Sequence, residues 1–377
     1  MRTYWLLAGA SLLCPGTVFA QTQTDPDPQG STAALADEII VTATKKGYGE
    51  NVQDVPIAVT AYGEAQLDAK FVQNLQSLSY DVPNVQLEDV GTTPGYANFS
   101  IRGLGINSSI PSIDPTVGVF VDGVYLGVSA GVLFDTFDLE GVEVLRGPQG
   151  LLFGRNVTGG AVLLRTTTPT NRFRVDAKAG LSTGLEKRAS ISVSGPLVGD
   201  VLSGKVAVYY NDDDGWFKND FDGKKIGGSE TLIVRSALRL QPNDSFDLVL
   251  RYEHGRIRGD GPAVTNHGLF PRDSFRVNQN YAGFTKTDWD QGIAELNIDT
   301  AFGDGTITNI AAVRALSNDS GADVDGSPVT SLHSRNNIEQ WQISNELRYA
   351  GTFGAFDVTT GLFYFCLLYT SPSPRDS

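Results

Sequence analysis

The chain is poor in sulfur, with 2 cysteines and 1 methionine in 377 residues. Cys14 lies in an N-terminal apolar run, and Cys366 in a tail unlike the rest of the chain. With both set aside no thiol chemistry is left, which excludes a disulfide scaffold, a cysteine protease and a thiolate metal site. Histidine is scarce as well. His254, His267 and His333 stand far apart with no ligand spacing, so they read as loop or strand-end residues and no metal site or cofactor is assigned. Positive charge is in deficit: 29 Lys and Arg face 43 Asp and Glu, a formal net charge of -14, which argues against a nucleic-acid partner. Charged residues make up only 19%, too few for a disordered acidic chain. No G-x-S-x-G elbow or other catalytic constellation is present, so the reading is not an enzyme. Long apolar runs are missing too. The N-terminal one is broken by Pro15-Gly16, and no later stretch reaches the about 20 residues that a spanning helix needs. Such a chain can enter a membrane only as a barrel.

Glycine, by contrast, reaches 42 residues beside 41% hydrophobic content, which suits a turn-rich β protein. Arg2, the apolar stretch from Tyr4 to Cys14 and Val18-Phe19-Ala20 read as a cleaved secretory signal over 1–20. Residues 21–37 form a polar leader without periodicity. Next comes Glu38-Ile39-Ile40-Val41-Thr42-Ala43-Thr44, a β-prone run isolated in polar surroundings. It cannot bury itself, but it can add as a strand to the edge of another protein's sheet. Further on, Gly63 to Leu78 carries Leu67, Phe71, Leu75 and Leu78 at the spacing of one helical face. Asp122-Gly123 between apolar runs predicts a hairpin.

The chain is organised around Asp138 to Thr168. A strand from Leu139 to Leu145 leads into Arg146-Gly147-Pro148-Gln149-Gly150, then Gly154-Arg155-Asn156, then Gly159-Gly160 and a second strand, Ala161 to Thr166. Gly147, Gly150, Gly154, Gly159 and Gly160 predict positive-φ turns or close backbone approach. This stretch resembles the end of the plug domain of TonB-dependent outer-membrane receptors, whose pattern is close to I-E-x-I-E-V-L-R-G-P-Q-G-x-L-x-G-x-x-x-x-G-G-x-I-N-I-x-T. Gly141 between the two acidic positions and Leu163-Leu164-Arg165 depart from it; the glycines and Arg146 do not. Phe99 to Gly105 and Val117 to Tyr125 match two further patterns of the same family.

From Asn171 onward the texture is that of amphipathic strands. Phe246, Leu248, Leu250 and Tyr252 alternate with Asp247, Val249, Arg251 and Glu253; Trp341, Ile343, Leu347 and Tyr349 alternate with Gln342, Ser344, Glu346 and Arg348. Alternation alone leaves open whether the apolar face meets a core or lipid. About nine strands are expected between 171 and 365, with long outward loops at 255–287 and 317–337. Residues 366–377 break the alternation and read as a non-native tail.

The resemblance implies a mainly β protein: a leader over 21–50 holding the TonB box at 38–44, a small α/β plug over 51–168, and over 169–365 the first part of an antiparallel transmembrane barrel. The family closes roughly 22 strands, so a full chain of about 700 to 800 residues is expected at roughly 20 per strand and turn. The resemblance further implies that Ile39, Ile40, Val41, Thr42 and Ala43 pair with TonB, coupled to the inner-membrane proton-motive complex. Arg102 and Arg146 sit where the family's plug bonds to barrel glutamates, for which Glu346, Glu295 and Glu253 are candidates. Tyr96, Asn98, Asn107 and Asp114 fall on apex loops expected to meet the ligand. The leader is too short for an added signalling domain, so a transporter in the outer-membrane lipid is expected. The family favours a ferric siderophore as cargo, with an oligosaccharide or a cobalamin-like ligand as the alternative. A passive pore or adhesin, and a secreted β-sandwich enzyme, are the competing classes.

Overall fold

The computed structural model describes residues 40–46, 49–70, 72, 74–90, 93–106, 113–128, 130–132, 136–271 and 274–370. The expected signal sequence, Ile39 and Asn107 lie outside the described residues. From Ile40 on, the chain forms one compact unit.

The first part is a small α/β assembly. Its elements are β1 (Ile40–Val41), β2 (Glu50–Asn51), β3 (Val59–Gly63), α1 (Glu64–Ala69), α2 (Leu75–Asp81), β4 (Val85–Val90), β5 (Thr93–Ile101), β6 (Val117–Val121), β7 (Val124–Tyr125), β8 (Leu139–Arg146), α3 (Gly150–Phe153) and β9 (Gly160–Thr166). Five strands form a mixed sheet in the order β3-β8-β9-β6-β7, with β6 and β9 parallel, while β1 pairs with β2 and β4 with β5. The core packs Leu67, Leu75 and Leu78 against Val142, Val144 and Val162. The helical face from Gly63 to Leu78 is two helices, because Asn74 caps a new one: its side chain accepts a hydrogen bond from Ser77 N at 2.9 Å.

The Asp122-Gly123 pair makes its hairpin with φ of 48° and 79°, the two positive values of a type I′ turn. Of the five motif glycines, Gly160 is the most constrained. It has φ 150°, and a Cβ there would stand 2.2 Å from Leu145 O. Gly150 departs from expectation: it opens α3, and nothing lies within 4 Å of its Cβ position. A side chain would fit there.

The second part is a nine-stranded antiparallel meander: β10 (Arg174–Leu181), β11 (Lys187–Val198), β12 (Leu202–Asp213), β15 (Ser229–Asn243), β16 (Phe246–Gly259), β18 (Phe284–Thr300), β19 (Gly305–Asp323), β20 (His333–Phe353) and β21 (Phe356–Thr370). Three short strands, β13 (Phe217–Asn219), β14 (Lys225–Ile226) and β17 (Arg276–Val277), form a separate sheet from two of its loops. Connections alternate between short turns, such as 244–245 and 354–355, and longer loops at 214–228, 260–283 and 324–332. The two long loops are thus shorter than expected, since the strands climb further before turning. The last strand is longer than expected: it runs past Phe365 to Thr370, with Cys366 opposite Ile343, so the loss of alternation at 366 does not end the ladder.

Which way the pleat faces is settled by burial. Gln342 and Ser344 are buried on the inner face, while Trp341 and Leu347 are 44% and 42% exposed on the outer one. Outer-face residues Val206, Leu238, Leu250, Tyr252 and Val313 are likewise exposed. A water-soluble sandwich packs the opposite face inward. Among the described residues no helix is long and apolar enough to cross a membrane.

Candidate functional site

The polar inner face is usable only because the plug supplies its partners. Arg235 (β15), Glu253 (β16), Gln291 (β18), Arg314 (β19) and Gln342 (β20) stand in one cross-strand row. The plug segment from Tyr125 to Asp138 crosses this row and is bound to it through its backbone. Gln342 Nε2 donates to Tyr125 O at 2.7 Å, and Gly127 N donates to Gln342 Oε1 at 3.0 Å. Arg314 Nη2 donates to Ala130 O at 2.5 Å, and Arg235 Nη1 to Phe137 O at 2.8 Å. Within the wall, Glu253 accepts from Arg235 Nε at 2.7 Å and from Trp289 Nε1 at 2.6 Å. Backbone carbonyls carry no net charge, so this part of the row grips the main chain of the plug, while Val128, Ala130 and Phe137 pack against the wall beside it. Gln342→Ala removes one donor and one acceptor from a buried contact. We expect about 2 kcal/mol weaker plug docking, read as plug release at lower urea concentration.

At one end of the segment the contact becomes ionic. Lys205 Nζ lies 2.7 Å from Asp138 Oδ2, with the two side chains 3% and 1% exposed, and Arg235 Nη1 is 3.7 Å from the same oxygen. Lys205 also donates to Thr167 O at 2.5 Å. Nearby, Asp122 accepts from Thr166 N and Oγ1, both at 2.8 Å, and faces Arg251 Nε at 3.7 Å. Carboxylates thus come from the plug and cations from the wall.

This reverses the expected latch. Among the described residues no ion pair joins Arg102 or Arg146 to a wall carboxylate; Arg102 is exposed, and Arg146 Nε has no hydrogen-bond partner. The reason is that the candidate glutamates are already neutralised. Glu295 pairs with Arg251 at 2.7 Å and Glu253 with Arg235. Glu346 does reach across to the other part of the chain, but its partners are Lys45 at 2.8 Å and Arg348 at 2.6 Å.

Lys45 follows directly on the β-prone run, and that run is docked. β1 pairs with β2, and Val41 and Ala43 are fully buried, Val41 beside Val55 and Ala61, Ala43 beside Phe120, Leu145 and Phe153. The backbone N–H groups of Thr42 and Ala43 donate to the two oxygens of Glu143 at 2.9 and 3.1 Å, and the Thr42 hydroxyl donates to the same carboxylate at 2.9 Å. The run was expected to stay unburied; a carboxylate reaching from β8 captures its amides and makes burial affordable. Burial pushes the Lys45 ammonium below its usual pKa, and the Glu346 charge opposes that. Lys46 lies 3.5 Å from Asp357, at the turn end of β21, which puts the docked run at the short-turn rim.

The ligand candidates do not converge. Tyr96 is 6% exposed, packed with Val128, Ala130, Ile257 and Trp289, and burial pushes its hydroxyl up to about 12; it is no open platform. Asn98 lies within β5 opposite Glu88. Asp114 is exposed and pairs with Arg155 at 2.7 Å.

Residues 51–161 match the TonB-dependent receptor plug domain. Over these residues the chain carries a plug domain of the TonB-dependent receptor kind. Of this chain, 249 residues are 28% identical to the pesticin receptor of Yersinia pestis, covering 65% of this chain and 34% of that protein. The ferripyoverdine receptor of Pseudomonas aeruginosa is 25% identical over 281 residues, covering 72% and 31%. The crystal structure of the ferric yersiniabactin uptake receptor from Yersinia pestis superposes with a TM-score of 0.72 at 23% identity, covering 85% of this chain and 50% of that one. The chain spans about a third of the length of the curated relatives it matches. It is mainly β, a plug followed by part of a barrel.

Proposed function

We propose that this outer-membrane receptor serves energised import of a ferric siderophore, with TonB and its proton-motive complex as the drive. The observation that carries the reading is the pairing of an apolar-out, polar-in wall with a plug bound into its inner face. A passive pore has no use for such a plug, and a secreted enzyme has no use for the inverted pleat. The cargo follows from the named relatives, which bind ferripyoverdine or take up ferric yersiniabactin. Val41, Thr42 and Ala43 are the segment proposed to meet TonB, after leaving Glu143.

The test is uptake of radiolabelled ferric siderophores by cells making the receptor, with and without TonB. Uptake is expected only with TonB. Equal uptake without it would return the protein to the passive pores, and TonB-dependent uptake of cobalamin or an oligosaccharide but no ferric complex would exchange the cargo.

A further inference from the structure

The longer loops hold a cluster of donors that neither the plug nor the wall uses. Asp323 ends β19, His333 opens β20, and Asp325 lies in the loop between them. One ligand atom from each falls within 4.8 Å of the other two. No ligand spacing shows around His333 because Asp323 is its cross-strand partner on the neighbouring strand, Asp325 lies in the loop joining the two strands, and the remaining donor comes from another loop.

Asp323 makes the cluster more than a group of surface acids. Its side chain is fully buried, and its Oδ2 has no hydrogen-bond partner. An unsatisfied buried carboxylate oxygen is costly. The other oxygen accepts from Gly326 N at 2.9 Å, which fixes the carboxylate so that Oδ2 faces His333 Nε2 at 3.9 Å. That gap is too long for a hydrogen bond but near the separation of two ligands that share one ion with bonds of about 2.0–2.2 Å. The His333 ring is held by stacking on Tyr281, with centroids 4.9 Å apart. Its Nε2 lies 3.0 Å from Asn280 Oδ1, so a fourth donor, an amide oxygen, already stands beside the imidazole. Asn280 comes from loop 260–283, and its Nδ2 donates to Thr330 Oγ1. Asp325 accepts through Oδ1 from Ser327 N and Oγ, and through Oδ2 from Ser331 N and Leu332 N. Each of its oxygens thus already accepts two bonds, the full capacity of a carboxylate, so a metal bond to Asp325 has to displace one of them; the Ser327 hydroxyl, which also reaches Val329 O at 2.9 Å, is the one that can turn away.

We propose that Asp323 Oδ2, His333 Nε2, Asp325 and Asn280 Oδ1 bind one first-row divalent cation, zinc by preference. Imidazole with carboxylates suits this class of ion. Binding takes the proton from His333 Nε2 to Nδ1, and Oδ2 of Asp323 gains the partner it lacks. The ion joins loop 324–332 to loop 260–283 and so clamps two loops over the wall. It is distinct from any iron carried as cargo, and it does not depend on TonB.

The experiment is zinc titration of the purified, chelator-washed receptor in detergent, followed by calorimetry and by the thermal midpoint. One zinc per chain and a zinc-dependent rise in the midpoint are expected. D323N and H333Q should each lose at least about tenfold in affinity, the least that even an outer partner of a ligand costs, while D319N, four residues earlier on β19, should bind as the parent does. D323N keeps the acceptor for Gly326, so the loop can still fold; an unchanged midpoint of the zinc-free variant checks this. No saturable binding, or equal binding by D323N and the parent, overturns the proposal and leaves His333 and Asp323 as a simple ion pair. Ferric-siderophore uptake measured in D323N separates this outcome from a failure of the transport reading.

Discussion

Asp138→Ala is expected to weaken the hold of the plug by about 3–5 kcal/mol, the usual consequence of leaving buried cations without their anion. Lys205 loses its carboxylate in a place where water is excluded, and Arg235 loses its second neighbouring carboxylate. Denaturant release of the plug should shift to lower concentration, and large antibiotics excluded by the parent should enter passively. A double variant, Asp138→Leu with Lys205→Met, should recover most of the loss, because an apolar pair of similar volume removes both desolvation costs. If Asp138→Ala releases its plug at the parental concentration, the ionic end of the segment is not what anchors it. Arg146→Ala, by contrast, should leave the release unchanged with respect to the nine strands present.

The second large effect concerns the docked strand. Glu143→Ala removes one carboxylate that satisfies two amides and a hydroxyl, all at or beside buried positions. Bonds to a charged acceptor contribute about 1.5–3 kcal/mol each, but the freed groups regain water once the strand lifts, so a net loss of about 3 kcal/mol is expected. Opening should become roughly a hundredfold more frequent. Hydrogen exchange at Thr42 and Ala43 reads this directly, and labelling of a Val41→Cys variant from the short-turn side reads it independently. Parental exchange rates in Glu143→Ala would show that β1–β2 pairing and the burial of Val41 and Ala43 suffice to hold the strand.

The sequence carried the architecture well where a local rule decides. Asp122-Gly123 needs only its own φ values, and the count of nine strands needs only the period of two. It left the direction of the pleat open, because the same alternation serves a core or a lipid face; burial of Gln342 beneath an exposed Trp341 decides it. The latch was illegible for a different reason. An arginine at a motif position says nothing about which glutamates remain uncompensated, and here cross-strand cations had already taken Glu253 and Glu295. A usable sign did exist. Lys205, Arg235, Arg251 and Arg314 all fall in the inward phase of their strands, where a cation must find a partner, and a plug rich in acids could supply it. The grip of Glu143 on the docked run had no such sign, since it joins residues about a hundred positions apart through main-chain amides.

The placement of Glu143 and Asp138 on one strand has a mechanical consequence. Glu143 holds the N-terminal run, and Asp138, which leads into the same strand, is tied to the wall. Five residues of extended chain, about 17 Å, separate handle from mooring. Tension applied to the run passes along β8, which lies between β3 and β9 and is hydrogen-bonded on both sides. The load is therefore shared by two ladders before it reaches the Lys205 pair. Such a strand works as a tie rod, and the strength of the assembly under pull is set by whichever of its two ends slips first.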